Sequence, residues 1–243
     1  MPSKPKFILH FIVFCAIFIF ICLVFFTLSL KEGSTDEHAQ SSSESYPIVI
    51  IDAGHGGEDG GAVGVNGALE KDINLSIAKR LYDTLSASGI ECVLTRSEDM
   101  LLYDRNEDYE GRKKALDMKA RLDIVSKYEN AIFVSIHQNS FPAEKYDGFQ
   151  AYYSSNSTSS QALATTIEQY VKNNLQPSNK RVAKASEGKI YLLDNLSCPA
   201  VLLECGFLSN ADECTLLCTD EYQERLCNTI SDGIIAFLNQ SQQ

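Results

Sequence analysis

Two of the four histidines, His55 and His137, each come just after a short apolar, β-branched run. The stretches are Ile51-Asp52-Ala53-Gly54-His55-Gly56-Gly57 and Ser135-Ile136-His137-Gln138-Asn139. A carboxylate, Glu204, follows a third such run in Val201-Leu202-Leu203-Glu204-Cys205-Gly206. An ionisable group is costly to bury without a partner, so all three are read as emerging where their strands end. Two imidazoles and a carboxylate that leave a coordination position open make a hydrolytic zinc site, beside which a further acid moves the proton. Spacing leaves the carboxylate ligand open among Glu58, Asp59 and Glu70, all within 15 residues of His55. Glu70 opens a predicted helix, which fixes its backbone and lets it project back over the intervening loop. Glu58 and Asp59 lie on glycine-rich chain and are read as solvated. The helix macrodipole would favour Glu70 with no metal at all. Glu204 could stand in an ion pair, and either histidine could be satisfied by neighbours; the joint pattern is what favours a metal, with Glu204 as the base acting on water.

These side chains meet only if their strands run parallel and end at one edge of a sheet, where open α/β proteins place their ligands. The pattern supports that. Residues 47–51 read as a buried strand, and residues 54–67, with seven of the 14 glycines, as a tight loop. Helical spacing runs over 70–88, with Gly89 as a natural stop. Strands are expected at 90–95, 131–136, 149–153, 189–193 and 200–203, and helices at 111–128, 158–174 and 220–238. Strand and helix alternate, which argues for a single α/β domain with a mostly parallel twisted sheet flanked by helices.

The first 46 residues differ from the rest. Residues 7–30 hold no Lys, Arg, Asp or Glu, a helix of roughly 36 Å and long enough to span a bilayer. Lys4 and Lys6 precede it, so the expectation is a cytoplasmic N-terminus (1–6), a transmembrane anchor (7–30), a Ser-rich tether (31–46) and an extracytoplasmic folded domain (47–240). A cleaved signal peptide is the rival reading, disfavoured by the length of the run and its lack of a small-x-small exit. Beyond residue 46 the chain carries 18 basic and 28 acidic side chains, a surface that repels phosphate backbones and excludes nucleic acid as a partner. No tryptophan is present, which argues against an appended sugar-binding module. Cys15 and Cys22 fall in the anchor run; the other six cysteines are read as mostly free, buried thiols. Cys214 and Cys218 would share a helix face.

Four stretches, taken together and in order, resemble a known family. IDAGHGGEDGGAVG, the ALEKDINL segment around Glu70, SIHQNS and PAVLLECGFLSN are similar to the successive motifs of the zinc-dependent N-acetylmuramoyl-L-alanine amidases of the amidase-3 type. The resemblance covers about residues 47–240. It implies one zinc ion per chain held by His55, Glu70 and His137, with Glu204 as the catalytic acid and base, and so settles the choice of Glu70. It implies a peptidoglycan substrate, cleaved at the amide between muramic acid and L-alanine. Asn139 and Arg121 match positions often kept in the family: Asn139 is expected to hold a substrate amide or else to brace its loop, and Arg121 to make a structural ion pair. Among these amidases the anchor, the KALDMKARLDIV helix and the absence of wall-binding repeats look most like the membrane-anchored spore-cortex and germination members. No long insertion lies between Glu70 and His137 to serve as an autoinhibitory helix, so regulation would come from location or an activator protein. The metal set alone also fits a zinc carboxypeptidase acting on peptides. A degenerate, membrane-tethered wall-binding protein is the non-enzymatic alternative.

Overall fold

The strand Ile48–Ala53 (β1) shows why the sheet is central: five of its six residues are buried, on both faces at once. In a computed structural model, which describes residues 17, 19, 46–104, 106 and 111–241, it lies between β2 (Cys92–Leu94) and β3 (Ala131–Asn139), parallel to both. β6 (Ala200–Phe207) pairs parallel with β3; β4 (Gln150–Tyr153) runs antiparallel to β6, and β5 (Lys184–Ala185) parallel to β4. The order is β2-β1-β3-β6-β4-β5. A single α/β domain with a mostly parallel sheet is therefore observed.

Period-two alternation sends Val49, Ile51, Ala53, Val134, Ile136, Val201 and Leu203 to one face. There they meet the apolar stripes of α1 (Glu70–Ala87), α3 (Thr158–Asn174) and α6 (Asp220–Gln240). Ile50, Phe133, Ala200 and Leu202 face the other way, against Val125 of α2 (Lys113–Val125) and Leu192 and Leu193 of α4 (Tyr191–Asn195). The chain leaves β1 for β2 on one side and returns to β3 on the other, with α1 and α2 on opposite faces. The order thus reverses between β1 and β3, which opens a crevice at their carboxyl ends. α1 stops as expected: the amide of Ile90 donates to Leu85 O (3.1 Å) and that of Gly89 to Ser86 O (3.0 Å), a Schellman closure.

Three expectations need correction. Residues 189–193 were expected to form a strand; the chain instead forms α4, because the Asp194 side chain accepts from the Ile190 amide (2.9 Å) and closes a turn there. The short helix α5 (Ala211–Leu217) was not anticipated, although Asn210 caps it by accepting from the amides of Asp212 and Glu213. β3 and β6 also run past residues 136 and 203, so His137 and Glu204 lie within strands, on the face that α2 and α4 partly cover.

The chain divides into Met1–Ser45 and Tyr46–Gln243. The predicted cytoplasmic N-terminus, anchor and tether up to residue 45 lie outside the described residues, apart from 17 and 19. Among the described residues no helix is long and apolar enough to cross a membrane. The six described cysteines are free; Cys205, Cys214 and Cys227 are buried, whereas Cys218 is exposed, because it caps α5 rather than continuing its inner face.

Candidate metal centre at the switch point

β1 ends in the Gly-rich loop, whose backbone folds back on the start of α1. The amides of Gly56 and Asp59 each donate to the other's carbonyl (3.0 Å both), and the Glu70 amide donates to Ala62 O (2.9 Å). His55 sits in this turn with φ 61°, a left-handed conformation that a side-chain-bearing residue rarely holds unless its surroundings impose it. Gly61, at φ 68°, is required twice over: a Cβ there would also lie 2.5 Å from Glu70 Oε2 and 2.8 Å from His55 Cδ2.

The loop places three donors together. His55 Nε2 is 3.3 Å from Glu70 Oε2, and His137 Nδ1 is 3.0 Å from Glu70 Oε1. One ligand atom from each of His55, Glu70 and His137 falls within 4.8 Å of the others. This donor set fits a divalent ion of zinc type: two imidazoles, one carboxylate, and a face left open toward the crevice. Burial alone would raise the Glu70 carboxyl, but the His137 and His55 rings outweigh it and hold the group well below the usual carboxylate range, so it is anionic. Burial disfavours the charged form of His55, and the Glu70 and Asp59 carboxylates more than offset that.

Glu204 is the register neighbour of His137 across β3 and β6, on the same face of the sheet. Its Oε2 is buried without a hydrogen-bond partner among the described residues. Burial, with a smaller contribution from the Glu70 charge, pushes its carboxyl up to about 7 against the opposing pull of the two histidines. A carboxyl poised there can both accept and return a proton near neutrality. Asn139, at the end of β3, shares with Glu204 a groove of about 670 Å³.

Around the centre, Arg121 makes the structural ion pair expected of it and Glu58 is exposed as expected, whereas the roles of Asp59, Asp52 and Arg96 were not foreseen. Asp59 is not solvated, as had been expected: its Oδ2 lies 3.0 Å from His55 Nδ1 and orients the ring. Glu58 does face outward, paired to Lys113 (2.7 Å). Arg121 pairs with Asp52 and Asp117 and donates to the carbonyls of Ala53 (2.9 Å) and His55 (2.8 Å), which fixes the backbone on both sides of Gly54. Burial would raise the Asp52 carboxyl, yet Arg121 and the Ser135 and Thr95 hydroxyls hold it low. Arg96 spends its guanidinium on carbonyls of Ala53 (2.9 Å), Gly54 (3.0 Å) and Lys71 (2.9 Å), and so straps the His55 loop to the start of α1. The signal for Asp52 was available, since a carboxylate inside a buried strand demands a cation.

Gly54 gives a direct test of the geometry. A Cβ built there meets His137 Nε2 at 2.2 Å, so Gly54→Ala must displace the ring. The expected result is a loss of zinc affinity of at least tenfold, measured by chelator competition, with a folded far-UV spectrum. Unchanged affinity would show that His137 does not hold the ion.

Comparison with known proteins places the chain in a family. Residues 49–236 match the family model described as N-acetylmuramoyl-L-alanine amidase. The germination-specific N-acetylmuramoyl-L-alanine amidase of Bacillus subtilis (strain 168) is 36% identical over 196 residues, 81% of each chain. The CwlD amidase from Clostridioides difficile, solved in complex with the GerS lipoprotein, superposes with a TM-score of 0.75 at 38% identity. That match covers 80% of this chain and 99% of that one. The catalytic domain of the amidase CwlV from Bacillus (Paenibacillus) polymyxa var. colistinus gives 0.66 at 32% identity, over 79% and 98% of the two chains. With the model spanning nearly the whole folded unit and these relatives matching along it, this chain belongs to the N-acetylmuramoyl-L-alanine amidase family, Amidase_3.

Proposed function

We propose that the chain hydrolyses the amide between N-acetylmuramic acid and L-alanine in peptidoglycan, as a cortex-type amidase, with one zinc ion held by His55, Glu70 and His137. The observation that carries this reading is the meeting of those three donors beside the unpartnered Glu204 oxygen. When bound, the metal supplies Lewis acidity toward the scissile carbonyl and toward the attacking water. Glu204 takes the proton from that water and delivers it to the alanine nitrogen, so that the amine leaves neutral. Asp59 keeps the His55 ring in one orientation, and Arg96 and Arg121 keep the loop that carries it from relaxing out of its left-handed turn. Asn139 faces the same groove and is assigned to hold a substrate amide.

Residues 7–30 are assigned as the anchor that keeps the enzyme at the outer face of the membrane, on the strength of their uncharged length. The co-structure of CwlD with a lipoprotein supports a protein activator for this chain as well. The test is digestion of sacculi by the full-length chain with zinc. New amino-terminal L-alanine is expected. Release of carboxyl-terminal amino acids would favour the carboxypeptidase instead, and binding without release would favour the tethered wall-binding protein.

A further inference from the structure

The proton carrier must face the nitrogen it protonates, so the peptide half of the substrate leaves on the Glu204 side of the centre. Two openings meet there. One, of about 290 Å³, is lined by His55 and His137 but not by Glu204; the other, of about 670 Å³, is lined by Glu204 and Asn139 but by neither histidine. Lys189 and Ile190 form the shared wall.

The larger groove is lined by Tyr152, Lys184 and Lys189, and also by Glu187 and Glu204. Lys184 makes no ion pair among the described residues, and Lys189 meets only the exposed Glu187, at 3.3 Å. The backbone on either side of Lys189 is braced. Asp194 accepts from the Ser186 hydroxyl, from the amide of Gly188 (3.3 Å) and from that of Ile190 (2.9 Å), and Glu187 is held at φ 51° in between.

We propose that this groove seats the peptide stem, and that Lys184 and Lys189 recognise a free carboxylate on the residue following alanine. The assignment rests on the amidase reading above. In peptidoglycan that residue is a γ-linked glutamyl unit whose α-carboxyl is either free or amidated. An amidated stem keeps the shape but loses the charge that the two ammonium groups would meet.

The probes are L-alanyl-D-glutamine, whose α-carboxylate is free and whose γ-carboxyl is capped as an amide like that of the stem, and its α-carboxamide, titrated by calorimetry into the zinc-loaded full-length chain; they differ only in that carboxylate. The acid is expected to bind about tenfold more tightly, two exposed charge pairs each supplying a few-fold, and the preference should shrink as salt rises. Lys184→Gln with Lys189→Gln should erase it. Equal binding of the two dipeptides, no saturable binding of either, or a preference that survives the double substitution would overturn the assignment. Because binding is read on the product side, this result is separate from sacculus digestion, whose failure would sink the amidase reading itself.

Discussion

Glu204→Gln is expected to leave the proposed single zinc in place and to lower turnover on sacculi by about 10²–10⁴-fold, the usual contribution of a positioned acid–base group. Glutamine matches glutamate in size, so the packing of β6 against β3 is preserved. Glu204 contacts none of the three metal donors within hydrogen-bond distance, so the donor set stays intact. What is lost is the carboxyl opposite His137 in register, which burial lifts to about 7. An amide can neither take the proton of the attacking water nor return one to the leaving nitrogen. The fall should appear in kcat, since substrate contacts are unchanged. Metal analysis alongside single-turnover kinetics checks both halves. Unchanged turnover would remove Glu204 from the chemistry, and lost zinc would make it a ligand instead.

Arg121→Met should destabilise the folded domain by about 3–5 kcal/mol, the cost of stranding a buried charge. Arg121 is almost fully buried, and its guanidinium neutralises Asp52, itself 0% exposed, and Asp117, at 3%. Methionine fills most of the volume, so the loss is electrostatic rather than a cavity. For a domain of this size the melting temperature should fall on the order of 10 °C. Adding Asp52→Asn should restore part of the loss, because it removes one of the stranded carboxylates; a double-mutant cycle measures that coupling. A drop below about 1 kcal/mol would mean that Arg121 is not what holds this network together.

Much of the site was legible in the sequence because its parts obey local rules. β-branched runs of five or six residues make strands, and a polar residue at the end of each run is conspicuous. The glycines of 54–67 announce a loop pressed against something, and residues 158–174 fold as the helix their period predicts. What failed was also local in origin. A run as short as residues 189–193 has no period long enough to separate strand from helix, and Asp194 decided it through contacts with residues 186–190.

The sequence by itself determined which residues are able to bind a metal and move a proton, His55, His137, Glu204 and three candidate acids, and that they belong to an α/β domain. Only the tertiary structure decided that Asp59 orients His55 while Glu58 does not. The same holds for His137 standing opposite Glu204 in register, and for Arg96 and Arg121 gripping the backbone around Gly54. The physical reason is range. Periodicity and turn chemistry act over a few residues and can be read from neighbours in the chain. Register and most of the charge pairing depend on segments about 40 to 70 residues apart, whose proximity comes into being only when the sheet closes. Even Asp59 meets His55, four residues away, only through the turn that the packed loop imposes.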